Sequence, residues 1–228
     1  MIVIKSPHLR RILRQILPWV AIPLCVLLGA TVFSDKGYAY VTLLVTMLSL
    51  LLFIAGFEKK RTGTRRLILV AVMVALSVAG RFLPLFKPIT ALTVLTAMYL
   101  GSEAGFLTGA LSAVISNFYF GQGPWTPFQM MSWGLIGFTA GLLAQPLKRH
   151  KWFLLCYGVI AGVAYSFIMD IWTVLWYNGT FQWTLYTGAL LSAIPYTCVY
   201  ALSNVLFLLL FAKPFGQKLE RIQVKYGV

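Results

Sequence analysis

The side chains able to do chemistry gather in residues 116–129, Ser-Asn-Phe-Tyr-Phe-Gly-Gln-Gly-Pro-Trp-Thr-Pro-Phe-Gln. Two glycines permit tight backbone geometry, two prolines limit its mobility, and Asn117, Gln122 and Gln129 supply amides beside Tyr119 and Trp125. Amides fix the orientation of a ligand while aromatic rings offer it a flat apolar surface, so this is the chemistry of a binding loop. Trp125, Trp172, Trp176, Tyr177 and Trp183 also suit the aromatic belt of a membrane interface, whereas Gln122 and Gln129 have no such role.

Ionisable residues add Arg81, Lys87 and Asp170, each placed by the surrounding apolar runs near one end of a span. A charge at membrane depth is costly unless paired or wet. An Arg81–Asp170 pair would close the bundle as a structural tie, or either residue would face a ligand. No other chemistry is offered. The sequence holds no G-x-x-x-x-G-K-[ST], no H-E-x-x-H and no paired acidic motif, and its five acidic residues are Asp35, Glu58, Glu103, Asp170 and Glu220. No catalytic residue, metal ligand set or intrinsic cofactor is assigned. Cys25, Cys156 and Cys198 lie in apolar runs without a C-x-x-C and read as small buried residues. Asn178-Gly179-Thr180 reads as a turn.

These groups must be carried by membrane helices. The 228 residues are 60% hydrophobic and only 11% charged, with mean hydropathy +0.84, where a soluble domain carries about a quarter charged residues. The net charge of +14 sits in short blocks between apolar runs, the pattern of membrane orientation and not of nucleic-acid binding. Eight runs follow one another, at about 12–33, 38–57, 67–82, 84–100, 104–120, 126–147, 152–176 and 183–211. Gly101-Ser102-Glu103 divides the fourth from the fifth. With eight spans, sixteen of the nineteen basic residues, including Arg14, Arg66, Lys148 and Lys213, fall on one side, leaving Lys36, Arg81 and Lys87 on the other. That bias makes both termini cytoplasmic. The expected fold is therefore an all-α integral membrane protein of a multi-pass cell membrane, with a polar linker at 58–66. The linker separates an N-terminal two-helix transmembrane hairpin (1–61) from a six-helix bundle (62–228).

Small residues recur at helical spacing within the bundle. Ala71, Ala75 and Ala79 share a face of its first helix, which either packs within the chain or docks another membrane subunit. Gly101, Gly105 and Gly109, with Gly134, Gly137 and Gly141, are expected to pack inside the bundle.

Three stretches carry a resemblance: Ala71-Val72-Met73-Val74-Ala75 after Arg65-Arg66, Tyr99 through Ala110 (Tyr-Leu-Gly-Ser-Glu-Ala-Gly-Phe-Leu-Thr-Gly-Ala), and the loop 120–130 leading into Trp133-Gly134-Leu135-Ile136-Gly137. Residues 62–218 resemble the substrate-binding S components of energy-coupling factor (ECF) transporters, ABC importers of vitamins and metal ions. The resemblance implies a chain that captures its cargo at the outer face and has no ATPase of its own. It also implies partners: a transmembrane T component, on which the face of Ala71 and Ala75 docks, and two cytoplasmic ATPase subunits. The six-helix family core leaves the N-terminal hairpin as an addition. The Gly-Gln-Gly-Pro-Trp-Thr-Pro loop looks like that of the cobalamin-type S components. That likeness makes cobalamin the expected transported ligand, in a wide outer pocket lined by Tyr119, Gln122, Trp125 and Gln129 with Asn117 in the same loop, and with Arg81 or Lys87 near the nucleotide phosphate. The alternatives are another vitamin such as riboflavin, or a self-sufficient proton-coupled carrier built on Asp170. No inverted repeat of the kind found in many secondary carriers joins the two halves.

Overall fold

A backbone surrounded by hydrocarbon must satisfy its amides internally, and each apolar run here folds as a helix. The computed structural model describes residues 4, 6–32, 37–56 and 60–226, and no strand occurs among them. Lys5, Asp35, Lys36, Glu58 and Lys59, counted above, lie outside the described residues. The helices are α1 (Pro7–Ile16), α2 (Ile22–Val32), α3 (Tyr38–Ala55), α4 (Lys60–Gly80), α5 (Ile89–Leu100), α6 (Ser102–Phe120), α7 (Trp125–Leu142), α8 (Ala144–Arg149), α9 (Lys151–Asn178) and α10 (Trp183–Tyr226).

Ser6 caps α1 by accepting from the Leu9 amide at 3.3 Å. α1 and α2 form one rod through a π-helical stretch, Leu17–Ala21, where Pro18 removes a donor from the ladder. The long helices follow the expected apolar runs in order. Pro7–Val32, Tyr38–Ala55, Lys151–Asn178 and Trp183–Lys225 are each long and apolar enough to cross a membrane, and the protein is an all-α membrane protein. The segment read as a linker is corrected: α4 begins at Lys60, so Lys60 to Arg66 are its first turns.

The break between α5 and α6 falls at Gly101, whose φ of +96° excludes a comfortable side chain. Arg66 of α4 caps the break by donating to the Leu100 carbonyl, and reaches the Gly56 carbonyl at the end of α3. α5 is the centre of the molecule, buried along almost its whole length, because its mixture of Thr, Ala, Val and Leu is apolar on every side. α4, α6, α7 and α10 surround it, and α9 packs on α7 and α10. α3 runs beside α6 and α7, and α2 beside α7 and α9.

The most extensive helix pair is α6 with α7, and its glycines explain why. A Cβ on Gly105 would lie 2.8 Å from the Gly137 carbonyl oxygen, and one on Gly137 would lie 2.4 Å from the Gly105 oxygen. The two backbones touch, as the small-residue spacing predicts.

Charge marks the two ends. At one, Glu103 accepts from Arg14 and lies 3.9 Å from Arg66, while Lys148 sits 4.2 Å from the Tyr99 ring centroid. Gln223 donates to the Tyr99 carbonyl at the same end. Arg81 and Lys87 occupy the opposite end, by the charge rule the outer one.

Candidate functional site

α4 stops at Gly80, where a Cβ would lie 2.2 Å from Pro88, so the chain folds back tightly through residues 81–88. Leu85 in this connection holds φ at +62°. The fold-back aims Arg81 at the outer end of α6. Its Nη1 donates to Ser116 Oγ and to Asn117 Oδ1, both at 2.5 Å. The guanidinium also lies 4.8 Å from the Phe120 ring centroid and 5.8 Å from that of Trp133.

Asn117 passes the network on. Its Nδ2 donates to Gln129 Oε1 at 2.8 Å and to Thr126 Oγ1 at 2.9 Å. Thr126 donates to Gln122 Oε1 at 3.0 Å, and Gln122 Nε2 donates to the Val114 carbonyl at 2.8 Å. Ser116, Asn117, Thr126 and Gln129 are all buried. A buried polar network is favourable only when its members are satisfied, and here each finds a partner.

Beneath the network lies a cavity of about 70 Å³, lined by Arg81, Lys87, Ile89, Thr90, Gln129, Trp133, Gly162, Tyr165, Tyr200 and Asn204. Trp133 of α7 and Tyr165 of α9 stack with centroids 4.8 Å apart and planes 18° from parallel. Tyr200 of α10 meets Tyr165 edge-on at 5.2 Å. Asn204 is held by donating to the Gly158 carbonyl at 2.9 Å. The Lys87 backbone is pinned to α10: its amide donates to Ser203 Oγ at 2.8 Å, and Ser203 donates to the Lys87 carbonyl at 2.9 Å. Burial, and then the charge of Arg81, push the Lys87 ammonium below the usual lysine range. The cavity thus combines flat aromatic walls with cationic, amide and hydroxyl groups.

Of the residues singled out in the sequence, Arg81, Lys87 and Gln129 line the cavity, and Asn117 and Gln122 stand behind it in the network. The expected wide pocket lined by Tyr119, Gln122, Trp125 and Gln129 is corrected, since only Gln129 lines the cavity. Tyr119 is 71% exposed against Phe82 and Phe120, and Trp125 packs on Gly123 and edge-on to Trp172. Both point away because the network turns the amides of α6 and α7 inward and their flanking aromatics outward.

The Arg81–Asp170 pair is also corrected. Arg81 is taken up by Ser116 and Asn117, while Asp170 does not line the cavity. Asp170 lies one turn beyond Ser166, whose hydroxyl is 2.6 Å from that of Thr197, so it faces α10. Its Oδ2 is buried with no hydrogen-bond partner among the described residues. Cys156 and Cys198 are exposed on the helix surface and only Cys25 is partly covered, because the first two sit on outward faces of α9 and α10.

Thr90, Tyr165, Tyr200 and Asn204 are cavity residues that sequence reasoning missed. Asn204 carried a signal, as an amide inside the apolar run of α10. On α4, Ala71, Ala75 and Ala79 are exposed while Val70, Met73, Val74 and Ser77 are buried, so the small-residue face points out of the bundle.

No curated relative and no solved structure matches the chain. The family model described as ECF-type riboflavin transporter, S component, matches residues 61–221, more than two thirds of the chain and every residue lining the cavity, and the protein belongs to that family of substrate-binding transport subunits.

Proposed function

We propose that this protein captures riboflavin at the outer face of the cell membrane and delivers it inward by association with an ATP-driven partner module. The observation that carries the ligand is the Trp133–Tyr165 stack lying against the Arg81–Asn117–Gln129 network, in a chain of this family. An isoalloxazine is flat, aromatic and edged with carbonyl acceptors, and its ribityl chain is a row of hydroxyls. The ring system would enter between aromatic walls, its carbonyl edge meeting Arg81 and Gln129. Thr90, Lys87 and Asn204 would meet the hydroxyls. At about 70 Å³ the cavity is smaller than the roughly 300 Å³ where small-molecule sites begin, so capture requires the stacked rings to part. A flat flavin needs less opening than a corrinoid, which favours it over cobalamin.

The same reading gives the chain no nucleotide chemistry. The T component would dock on Ala71 and Ala75, where a neighbouring backbone approaches an exposed small-residue face, and two ATPases would drive release. Riboflavin fluorescence, titrated with the purified full chain, tests the ligand. Stoichiometric quenching supports stacking in the cavity. An unchanged signal, together with binding of cobalamin, overturns it. Accumulation of riboflavin in liposomes holding the chain alone, with a proton gradient and no ATP, would overturn the partner-driven mechanism.

A further inference from the structure

The rod of α1 and α2 lies outside residues 61–221 and carries a charged surface of its own. Between α1 and the ends of α3 and α7 runs a groove of about 480 Å³. Arg10, Arg11 and Arg14 line it at the cytoplasmic end, and Trp19, Phe138 and Leu142 line its apolar part. Trp19 meets Phe138 edge-on at 5.8 Å and is half exposed, as an indole at the headgroup level is. Among the described residues no carboxylate lines the groove; Glu103, which takes Arg14, is buried at 3% exposure beneath it.

The groove is therefore ordered by depth, with guanidinium groups at the membrane surface and apolar surface toward the hydrocarbon. A soluble anion would use only the first part. A phosphodiester carrying acyl chains uses both, and arginine forks match phosphate oxygens in pairs. The inner leaflet is also the anionic one, and each basic residue near its surface gains from that charge.

We propose that this groove binds one anionic phospholipid of the inner leaflet, its phosphate on Arg10 and Arg11 and its chains along Trp19, Phe138 and Leu142. The lipid touches α1 and α7 together, so it joins the N-terminal rod to the transport core. This does not depend on which vitamin the cavity takes.

Native mass spectrometry of the full chain, titrated with phosphatidylglycerol and separately with phosphatidylcholine, tests it. One phosphatidylglycerol is expected to be retained in preference to phosphatidylcholine. R11Q, at an exposed position, should weaken retention about five-fold, and R10Q/R11Q by about that factor again. R10K/R11K keeps the charge, loses the forks and should fall between. K148Q/R149Q, in the separate basic groove between α8 and α10, should leave retention unchanged. Equal retention of both lipids, wild-type retention by R10Q/R11Q, or an equal loss in K148Q/R149Q would overturn the proposal. Displacement of the lipid by millimolar inorganic phosphate would overturn it too, marking a site for a free anion.

Discussion

Arg81 Nη1 and Asn117 Oδ1 lie 2.5 Å apart, and this contact ties the end of α4 to the turn between α6 and α7. A cation from one helix thus organises the polar side of a cavity whose walls belong to four others. Arg81→Gln removes the charge from a partly buried network. Charged hydrogen bonds contribute roughly 1.5–3 kcal/mol, so riboflavin affinity should fall about 10- to 100-fold. Arg81→Lys should recover little, because an ammonium cannot copy the fork. Fluorescence titration of both variants is the check.

The Trp133–Tyr165 stack makes a second expectation. Trp133→Phe keeps a flat ring and should weaken binding by less than about ten-fold, whereas Trp133→Ala should weaken it further and reduce the quenching of bound flavin. If both bind and quench as wild type, the ligand does not lie against α7.

Asp170 should be silent in binding. Its side chain faces α10 and does not line the cavity, so Asp170→Asn is expected to keep the wild-type titration curve. A loss of affinity without loss of thermal stability would move the ligand to the α9–α10 seam.

The exposed Ala71 and Ala75 separate capture from delivery. Ala71→Leu with Ala75→Leu places bulk where a partner backbone would come close, without touching the cavity. Riboflavin binding by the purified chain should be unchanged and uptake by cells carrying the partner subunits should be lost. Loss of both together would mean that the face supports the fold.

Glu103 serves stability. It is buried and takes Arg14 from the N-terminal rod while standing 3.9 Å from Arg66 of α4. Glu103→Gln leaves these cations without their counter-charge. A cost of roughly 3 kcal/mol is expected, near the low end for a buried pair because Arg14 is half in water. The thermal midpoint of the variant measures it, with riboflavin affinity as the control.

What was legible in the sequence followed from local pattern. Apolar runs and basic blocks set the helices and their ends, Gly101 marked a break that only a positive φ explains, and the glycine spacing foretold the α6–α7 contact. Arg81, Asn117 and Gln129 stood out because polar groups near membrane depth are costly without a role. What escaped depends on rotation about the helix axis. Arg81 and Asp170 belong to the same end of the bundle, yet their side chains face different neighbours. Tyr165 and Tyr200 resemble interface aromatics until α9 and α10 turn them inward beside Trp133. The Arg14–Glu103 tie joins residues 89 positions apart, which no periodicity reports.

The glycine contact between α6 and α7 has a mechanical meaning. Two helices whose backbones touch at Gly105 and Gly137 have no layer of side chains to shear, so they behave as one stiff plate. Gly109 extends the plate toward the cavity, where a Cβ would lie 2.4 Å from the Trp133 carbonyl oxygen. Motion that admits a ligand is therefore left to the opposite wall, where Tyr165 and Tyr200 ride on α9 and α10 and the 81–88 fold-back hangs from Ser203. The door of this protein swings on its tyrosine side, against a frame that does not give.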